Sequence, residues 1–242
     1  MRCCPARVST LLHQSSVDIL IPALNEASTI GLVLAEIPFA RIDAMGCRAR
    51  AVVVDNGSSD GTAGVAKVGG AEVIFEPRRG KGNAMRRAFR ETRADYVVML
   101  DGDNTYPAAH IPDMLKLLQN GHDVVLGSRL KGTRAPGSIS RVNVIGNRLL
   151  TLLACVLYGK KTSDLCTGYW AFRGEVLPML QLTAGGFNLE AELFAEVVRH
   201  KLRVGEVPVN YRRRPTPTKL RALRDGVRIA RMLIGKRIHP HG

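Results

Sequence analysis

Short apolar runs, rich in Val, Ile and Leu, alternate with amphipathic segments through the first half of the chain. Gly, Pro, Asn and Asp bound these runs and favour turns there. The segments between them have apolar residues three or four positions apart, which is the spacing of a helix. This alternation predicts an α/β fold with a mainly parallel central sheet flanked by helices. The predicted strands are 17–21, 51–54, 72–75, 96–100 and 123–127, and the predicted helices are 25–40, 83–92 and 107–120.

The second half of the chain is less regular. Its loops are longer and richer in Gly, Arg and Pro, and basic residues dominate from position 211 onward. The pattern predicts a loop at 129–140, a helix at 142–158, a polar loop at 160–168, a helix at 187–200 and a strand at 202–209.

A chain of 242 residues is long enough for one large α/β domain with a short appendage. We expect an N-terminal extension at 1–16, one main domain at 17–218 and a basic C-terminal tail at 219–242. The 35 Lys and Arg residues outnumber the 21 Asp and Glu residues, which gives a net charge of +14. Such a charge suits nucleic acid, anionic lipid or a phosphorylated substrate as partner.

The five cysteines are an odd number without Cys-x-x-Cys spacing, which argues against a disulfide framework and a zinc site. They favour a reducing compartment. The best apolar run, 149–158, is about half the roughly 20 residues that a membrane-spanning helix needs. The N-terminus has no apolar region of secretory quality. We therefore expect a protein that is soluble or attached to a membrane surface.

Two carboxylates, Asp101 and Asp103, directly follow the predicted strand 96–100. Open α/β sheets bind their ligands at the carboxyl ends of the strands. Carboxylate oxygens are preferred ligands of Mg²⁺ and Mn²⁺, which also coordinate substrate phosphates. Gly102 between them lets a ligand approach the backbone closely. Taken alone, the segment is equally compatible with an ordinary turn.

Further motifs follow predicted strands or lie in the less regular second half of the chain. They are 22–26, 53–62, 80–82, 127–129, 164–168, 188–190 and 206–209. In this order and spacing, and together with the two aspartates, they resemble the family 2 glycosyltransferases, and within that family the dolichyl- or polyprenyl-phosphate hexose synthases. The resemblance covers 17–220 and implies the GT-A fold, a Rossmann-like nucleotide-binding fold.

The resemblance implies which residues bind the nucleotide. Pro22, Leu24 and Glu26 match the first nucleotide-contacting loop. Val53 and Asp55 match the pair that holds the base, with the Asp55 carboxylate accepting from a ring N–H. A base without that donor would leave a buried charge unpaired, so a carboxylate here discriminates between bases. A helix-capping turn is the alternative role for Asp55.

The resemblance also implies the contacts of the diphosphate. Asp101 and Asp103 would bind Mg²⁺ or Mn²⁺, which neutralises charge on the leaving nucleoside diphosphate. Arg129 would pair with phosphate through its planar guanidinium, with a solvated surface position as the alternative. Arg214 and Lys219 match basic residues that close over the diphosphate.

Asp164 and Glu190 resemble carboxylates on the acceptor side of the site. If the acceptor were a sugar hydroxyl, a general base would be essential, and Asp164 would be the candidate. A phosphate acceptor is already anionic and needs no base. In that case both residues would position the substrates.

Two sequence motifs bear on the identity of the donor sugar. Lys81 between two glycines, and the four-residue step from Asp164 to Gly168, resemble dolichyl-phosphate glucosyltransferases more than the mannosyl relatives. They favour a UDP-hexose donor, with GDP-mannose as the alternative. Lys81 and Gly102 would then contact the nucleotide sugar.

The tail from 219 to 237 combines apolar residues at helical spacing with a basic face. This pattern is typical of a helix on an anionic membrane surface. The alternative is that the apolar stripe packs on the main domain while the charges face water. Membrane access would then come from the loop 131–140, the helix 142–158 or a small membrane partner protein.

The whole pattern indicates an inverting, metal-dependent glycosyltransferase at the cytoplasmic face of a membrane. It would transfer a hexose or N-acetylhexosamine from a nucleotide sugar to polyprenyl or dolichyl phosphate. A GDP-mannose enzyme and an enzyme with a soluble or glycan acceptor are the alternatives. A nucleic-acid-binding module would explain the charge, but it leaves the acidic strand ends unexplained and lacks interleaved aromatics for stacking. We expect no nucleic-acid partner.

Overall fold

The computed structural model describes residues 14–215 and 222–238. The strands of this part of the chain are β1 (Ser15–Ala23), β2 (Cys47–Asp55), β3 (Glu72–Phe75), β4 (Tyr96–Met99), β5 (Val124–Ser128), β6 (Trp170–Arg173) and β7 (Val204–Pro208). They form one sheet in the order β3-β2-β1-β4-β6-β5-β7. The strand β6 is antiparallel to both its neighbours, and the other pairings are parallel. The predicted mainly parallel sheet is confirmed.

Helices cover both faces of the sheet. They are α1 (Ala27–Ala35), α2 (Phe39–Asp43), α3 (Thr62–Val68), α4 (Lys81–Glu91), α5 (Ile111–Gln119), α6 (Arg141–Tyr158), α7 (Leu189–Arg199) and α8 (Ala222–Ile238). Successive strand residues point to opposite faces. Ile19 and Ile21 of β1 therefore join the apolar cluster under α1 and α5, while Leu20 joins the cluster under α4, α7 and α8.

The strand β1 is longer than the sequence pattern indicated. We expected it to end at Ile21, because proline cannot donate a hydrogen bond to a neighbouring strand. In the structure Pro22 pairs with Val54 of β2, and β1 continues to Ala23. The pairing of β1 with β4 ends at Leu20. Pro22 thus has a strand on one side only, the position in a sheet where proline is tolerated.

The strand β6 was not predicted from the sequence. Its four residues do not alternate between apolar and polar, because it lies between β4 and β5 with both faces covered. Trp170 is fully buried and stacks on Phe172, with ring centroids 5.9 Å apart. Trp170 therefore packs in the core.

The C-terminal helix α8 packs against α6 and α7. Its Ile229 and Leu233 are buried in the core cluster. The predicted basic face is also partly internal, because Lys236 lies between Glu192 and Glu196 of α7, at 2.9 and 2.8 Å. This corrects the expectation that Lys236 faces a membrane. The domain boundaries at 16 and 218 stay predictions.

Candidate active site

The acidic residues at strand ends gather along one edge of the sheet. Asp55 ends β2, directly beside Ala23 of β1, and Glu26 follows β1 at the start of α1. Asp101 and Asp103 follow β4, which pairs with the other side of β1. Parallel strands place their carboxyl ends at the same edge of a sheet, where open α/β folds bind ligands. We call these four residues the ligand edge.

Lys81 joins two carboxylates at this edge. Its Nζ lies 2.5 Å from Asp101 Oδ1 and 2.6 Å from Glu190 Oε1. Burial alone would lower the pKa of Lys81, but Asp101 and Glu190 outweigh burial and raise it above its ordinary value. Burial raises the pKa of Asp101 to about 6; Asp103 and Glu190 add to the rise, and Lys81 opposes it. The Lys81 ammonium thus compensates the Asp101 and Glu190 carboxylates.

Glycines on both sides of Lys81 allow this placement. A Cβ on Gly82 would overlap the carbonyl oxygen of Ala184, and one on Gly80 would overlap that of Gly185. Gly80 also has φ +124°, which side chains rarely adopt. The motif lets the start of α4 press against the loop before α7.

The backbone of Gly168 packs directly against the carboxyl group of Asp101. A Cβ at this position would overlap the carboxyl group of Asp101. The glycine that ends the Asp164–Gly168 motif therefore has a steric role that the sequence pattern alone did not reveal.

Asp103 is held by the turn that follows it. Its Oδ1 accepts from the backbone N–H of Thr105, at 3.1 Å, and from the Thr105 hydroxyl, at 2.6 Å. The turn is tight, because Asn104 adopts a left-handed φ of +59°. The other oxygen of Asp103 lies 3.3 Å from Arg214, and Arg214 also donates to Glu26 at 2.6 Å. Arg214 therefore lies over the ligand edge, where it was expected.

Arg129 and Asp164 form a buried bidentate ion pair. The Nε and Nη2 of Arg129 lie 2.8 and 2.7 Å from the two carboxylate oxygens. Asn147 of α6 donates to the same carboxylate at 2.6 Å. Burial would raise the pKa of Asp164, but Arg129 and Asn147 outweigh burial and lower it.

This pair decides against a solvated position for Arg129, while the phosphate contact of Arg129 stays a prediction. Arg129 is not a solvated surface residue, since only 12% of its side chain is exposed. The forked edge of its guanidinium, expected to meet phosphate, is occupied by Asp164. The guanidinium carbon of Arg129 also lies over the ring of Tyr211, 5.4 Å from the ring centroid.

The expected base-binding residues lie at the same edge with different exposures. Pro22 and Leu24 are partly exposed. Asp55 is nearly buried and accepts from the backbone N–H of Ser58 at 3.1 Å. Val53 is fully buried in the core, so the structure gives its side chain a packing role. Lys219 lies outside the described residues.

The carboxylates of Asp101 and Asp103 suit a divalent cation whose remaining ligands come from the substrate and water. Within 14–215 and 222–238, no group of three or more His, Cys, Asp or Glu side chains could hold a metal by itself. Asp101 and Asp103 offer hard oxygen ligands. Magnesium-type ions commonly take one or two carboxylates and fill the remaining positions with phosphate oxygens and water. The two aspartates fit that arrangement.

Comparison with known proteins agrees with this geometry. The model of glycosyl transferase family 2 matches residues 18–179, which include most of β1, all of β2 to β6 and the four residues of the ligand edge. This chain belongs to glycosyl transferase family 2. It is a glycosyltransferase with a GT-A-like α/β fold, as the sequence motifs indicated.

Two relatives come from the archaeon Haloferax volcanii. The chain is 37% identical to its glycosyltransferase AglJ, over 87% of this chain and 68% of that protein. It is 35% identical to its dolichyl-phosphate hexose transferase, over 89% of this chain and 91% of that protein. Among solved structures, glucosyl-3-phosphoglycerate synthase from Mycobacterium tuberculosis, in complex with Mn²⁺, UDP and glucosyl-3-phosphoglycerate, has a TM-score of 0.68 at 25% identity. That match covers 99% of this chain and 86% of that chain.

Sequence reasoning missed three residues of this family 2 site. Gly168 backs Asp101, Asn147 holds Asp164, and Tyr211 covers Arg129. A signal existed for Asn147, because Asn147 and Thr151 lie four positions apart, on one face of a mostly apolar helix. The contacts of Gly168 and Tyr211 join segments distant in sequence and have no local signal.

Proposed function

We propose that this enzyme transfers a hexose from a UDP-sugar to the phosphate of a polyprenyl or dolichyl phosphate, with inversion at the anomeric carbon. Asp101 and Asp103 would hold Mg²⁺ or Mn²⁺ against the diphosphate, and Asp55 would accept from the base. The identity to a dolichyl-phosphate hexose transferase and the likeness to a Mn²⁺- and UDP-bound synthase support this proposal.

The ion pairs of Asp164 and Glu190 are the observation on which we base the choice of acceptor. Asp164 is locked in a bidentate pair with Arg129, and Glu190 is held by Lys81. A lowered pKa makes Asp164 a poor proton acceptor. A hydroxyl acceptor needs a general base, whereas a phosphate monoester attacks as an anion. The ion-paired carboxylates therefore favour a phosphate acceptor.

The chain's own residues would then orient the reactants. Arg214 bridges Glu26 and Asp103 across the ligand edge, where a diphosphate can replace the carboxylates as its partner. Lys81 would stay beside Asp101 and add positive charge near the leaving group. A bound divalent cation supplies electrostatic stabilisation of the departing nucleoside diphosphate.

The test is a transfer assay with a donor panel. The protein is incubated with UDP-glucose, UDP-N-acetylglucosamine or GDP-mannose, polyprenyl phosphate and Mn²⁺ or Mg²⁺, and the lipid fraction is analysed by mass spectrometry. We expect a lipid-phospho-hexose from a UDP-sugar. Product from GDP-mannose alone would replace the donor assignment, and no product from any donor would overturn the acceptor assignment.

A soluble phosphorylated acceptor that reacts through a hydroxyl group, and would therefore need a general base, is the second candidate. The solved relative is a synthase of glucosyl-3-phosphoglycerate, so 3-phosphoglycerate belongs in the same assay. Water-soluble product with no lipid product would favour this candidate.

For a lipid acceptor, the enzyme would work as a peripheral protein at the cytoplasmic face of a membrane.

A further inference from the structure

Helix α6 has an apolar outer face, where a surface helix is usually polar. Its polar Asn147 and Thr151 are buried and face the protein interior. Its outer face is apolar, and the residues of this outer face, each more than half exposed, are Val142, Ile145, Leu149, Leu152 and Val156. We call these five residues the α6 stripe. A soluble protein rarely exposes a contiguous apolar surface without a partner for it.

The inner face of α6 ties the helix to the loop that carries Asp164. Asn147 donates to Asp164 at 2.6 Å and accepts from the backbone N–H of Cys166 at 3.3 Å. Thr151 accepts from the backbone N–H of Leu165 at 3.1 Å. By length and composition α6 could cross a membrane, but its inner face is tied to the domain by these hydrogen bonds and by Ala154 in the core. Spanning a bilayer would break them, so α6 suits a position in the plane of a membrane surface.

Charge around the stripe points to anionic lipid. The 18 residues of α6 include no Asp or Glu. Arg141 and Arg148 are exposed beside the stripe, and Lys160 and Lys161 are exposed just after the helix. The neighbouring helix α8 adds exposed basic side chains, namely Arg224, Arg228 and Arg231. An apolar helix face with a basic rim is the pattern of an interfacial helix on anionic lipid.

A second copy of the chain fits the stripe less well. The stripe residues alternate three and four positions apart, a spacing that also occurs in coiled coils. In such a pair, acidic and basic residues beside the seam usually form bridges between helices. Here Arg141 and Arg148 flank the seam with no acidic residue on α6 to pair with them. Self-association would therefore bring like charges together.

We propose that the α6 stripe inserts into the interfacial region of an anionic bilayer and sets the orientation of the enzyme on it. Because α6 is about 10 Å in diameter, this orientation holds the Arg129–Asp164 pair close to the lipid surface. The inference goes beyond the proposed function, since it concerns a surface whose binding needs neither nucleotide nor acceptor. It also places the principal membrane contact on α6 rather than on the basic tail.

Vesicle sedimentation tests the proposal, with phosphatidylcholine vesicles that either contain or lack phosphatidylglycerol. The variant I145S/L149S/L152S should lose about tenfold or more of the wild-type partitioning onto anionic vesicles, because it removes three apolar side chains from the interface. The control L32S/F39S/V68S, which alters three exposed apolar residues on α1, α2 and α3, should bind as the wild type does. Circular dichroism and UDP titration confirm that both variants fold.

Charge variants separate the contributions of the two helices. R141Q/R148Q should weaken binding to anionic vesicles and make it less sensitive to salt. R224Q/R228Q/R231Q on α8 should have a smaller effect than the serine variant. The proposal is overturned if the serine variant binds as the wild type does, or if the wild type binds no vesicles at low salt. A wild-type dimer in sedimentation velocity that the serine variant abolishes, without vesicle binding, would assign the stripe to self-association.

Discussion

At the ligand edge, three of the four carboxylates have a basic side chain as their neighbour. Lys81 lies against Asp101, and Arg214 lies against Asp103 and Glu26. Acidic groups crowded together repel one another unless cations compensate them. The two basic residues therefore keep the edge assembled, and a metal–diphosphate complex would bring its own positive and negative charges to the same place.

Removing one oxygen charge tests the proposed metal ligands. We expect Asp103→Asn to lower kcat by about 100-fold or more, since the diphosphate charge would be stabilised less in the transition state. Turnover is measured at saturating Mn²⁺, and the folded state is checked by thermal unfolding. The control Glu175→Gln changes an exposed acid, with 72% of its side chain accessible, and should leave kcat unchanged. Near wild-type turnover of Asp103→Asn would contradict the assignment.

A second residue-scale prediction concerns Gly168. In Gly168→Ala the new Cβ would overlap the Asp101 carboxyl group and displace it. We expect at least about a tenfold loss of kcat, because small displacements of reacting groups are costly. Gly64→Ala is the matched control, since a Cβ there meets nothing within 4 Å. Equal turnover of the two alanine variants would show that Asp101 need not be held in place.

At the element scale, α7 connects the C-terminal helix to the site. Its Glu190 faces Lys81, while Glu192 and Glu196 face Lys236 of α8. Glu192 also accepts from the backbone N–H of Ala184 at 2.8 Å. The backbone of Ala184 packs on Gly82, which is next to Lys81. Helix α8 is thus connected to Lys81 through α7 and the loop that contains Ala184.

Lys236→Gln tests this connection. The change removes the cation between Glu192 and Glu196, so that Glu192 is buried without its cation while Glu196 keeps Arg199, at 2.8 Å. Leaving a buried carboxylate unpaired in this way typically costs about 3 kcal/mol. We expect the free energy of unfolding, measured in urea, to fall by that order. Arg231→Gln on the exposed side of α8 should change it by less than about 0.5 kcal/mol. Equal stabilities of the two variants would mean that the α7–α8 ion pairs are not needed.

At the scale of the whole molecule, we predict that UDP binds more tightly than GDP. The reason is that the motif around Lys81 resembles that of the glucosyl relatives. Its two glycines also make the backbone contact with 184–185 possible. Calorimetric titration with each diphosphate in Mn²⁺ measures the preference. The variant Asp55→Asn should reduce it, if the carboxylate reads the base. Tighter binding of GDP would instead favour a mannosyl donor.

The sequence by itself determined the sheet-and-helix alternation and most of the ligand edge. Both are local patterns: buried strands read as apolar runs, and ligand-binding carboxylates follow them directly. The ordered motifs also identified the family, which the match over 18–179 confirmed. The position of Lys236 could not be predicted in this way, because an amphipathic basic helix has the same pattern on lipid or on a protein core.

Only the tertiary structure decided which charges meet. The pairing of Arg129 with Asp164 joins residues 35 positions apart, and Gly168 approaches Asp101 through the antiparallel strand β6, which has no sequence signal of its own. The same holds for the exposed α6 stripe. Composition shows that the helix is apolar, but which side faces the interior depends on the hydrogen bonds that Asn147 and Thr151 find in the folded protein.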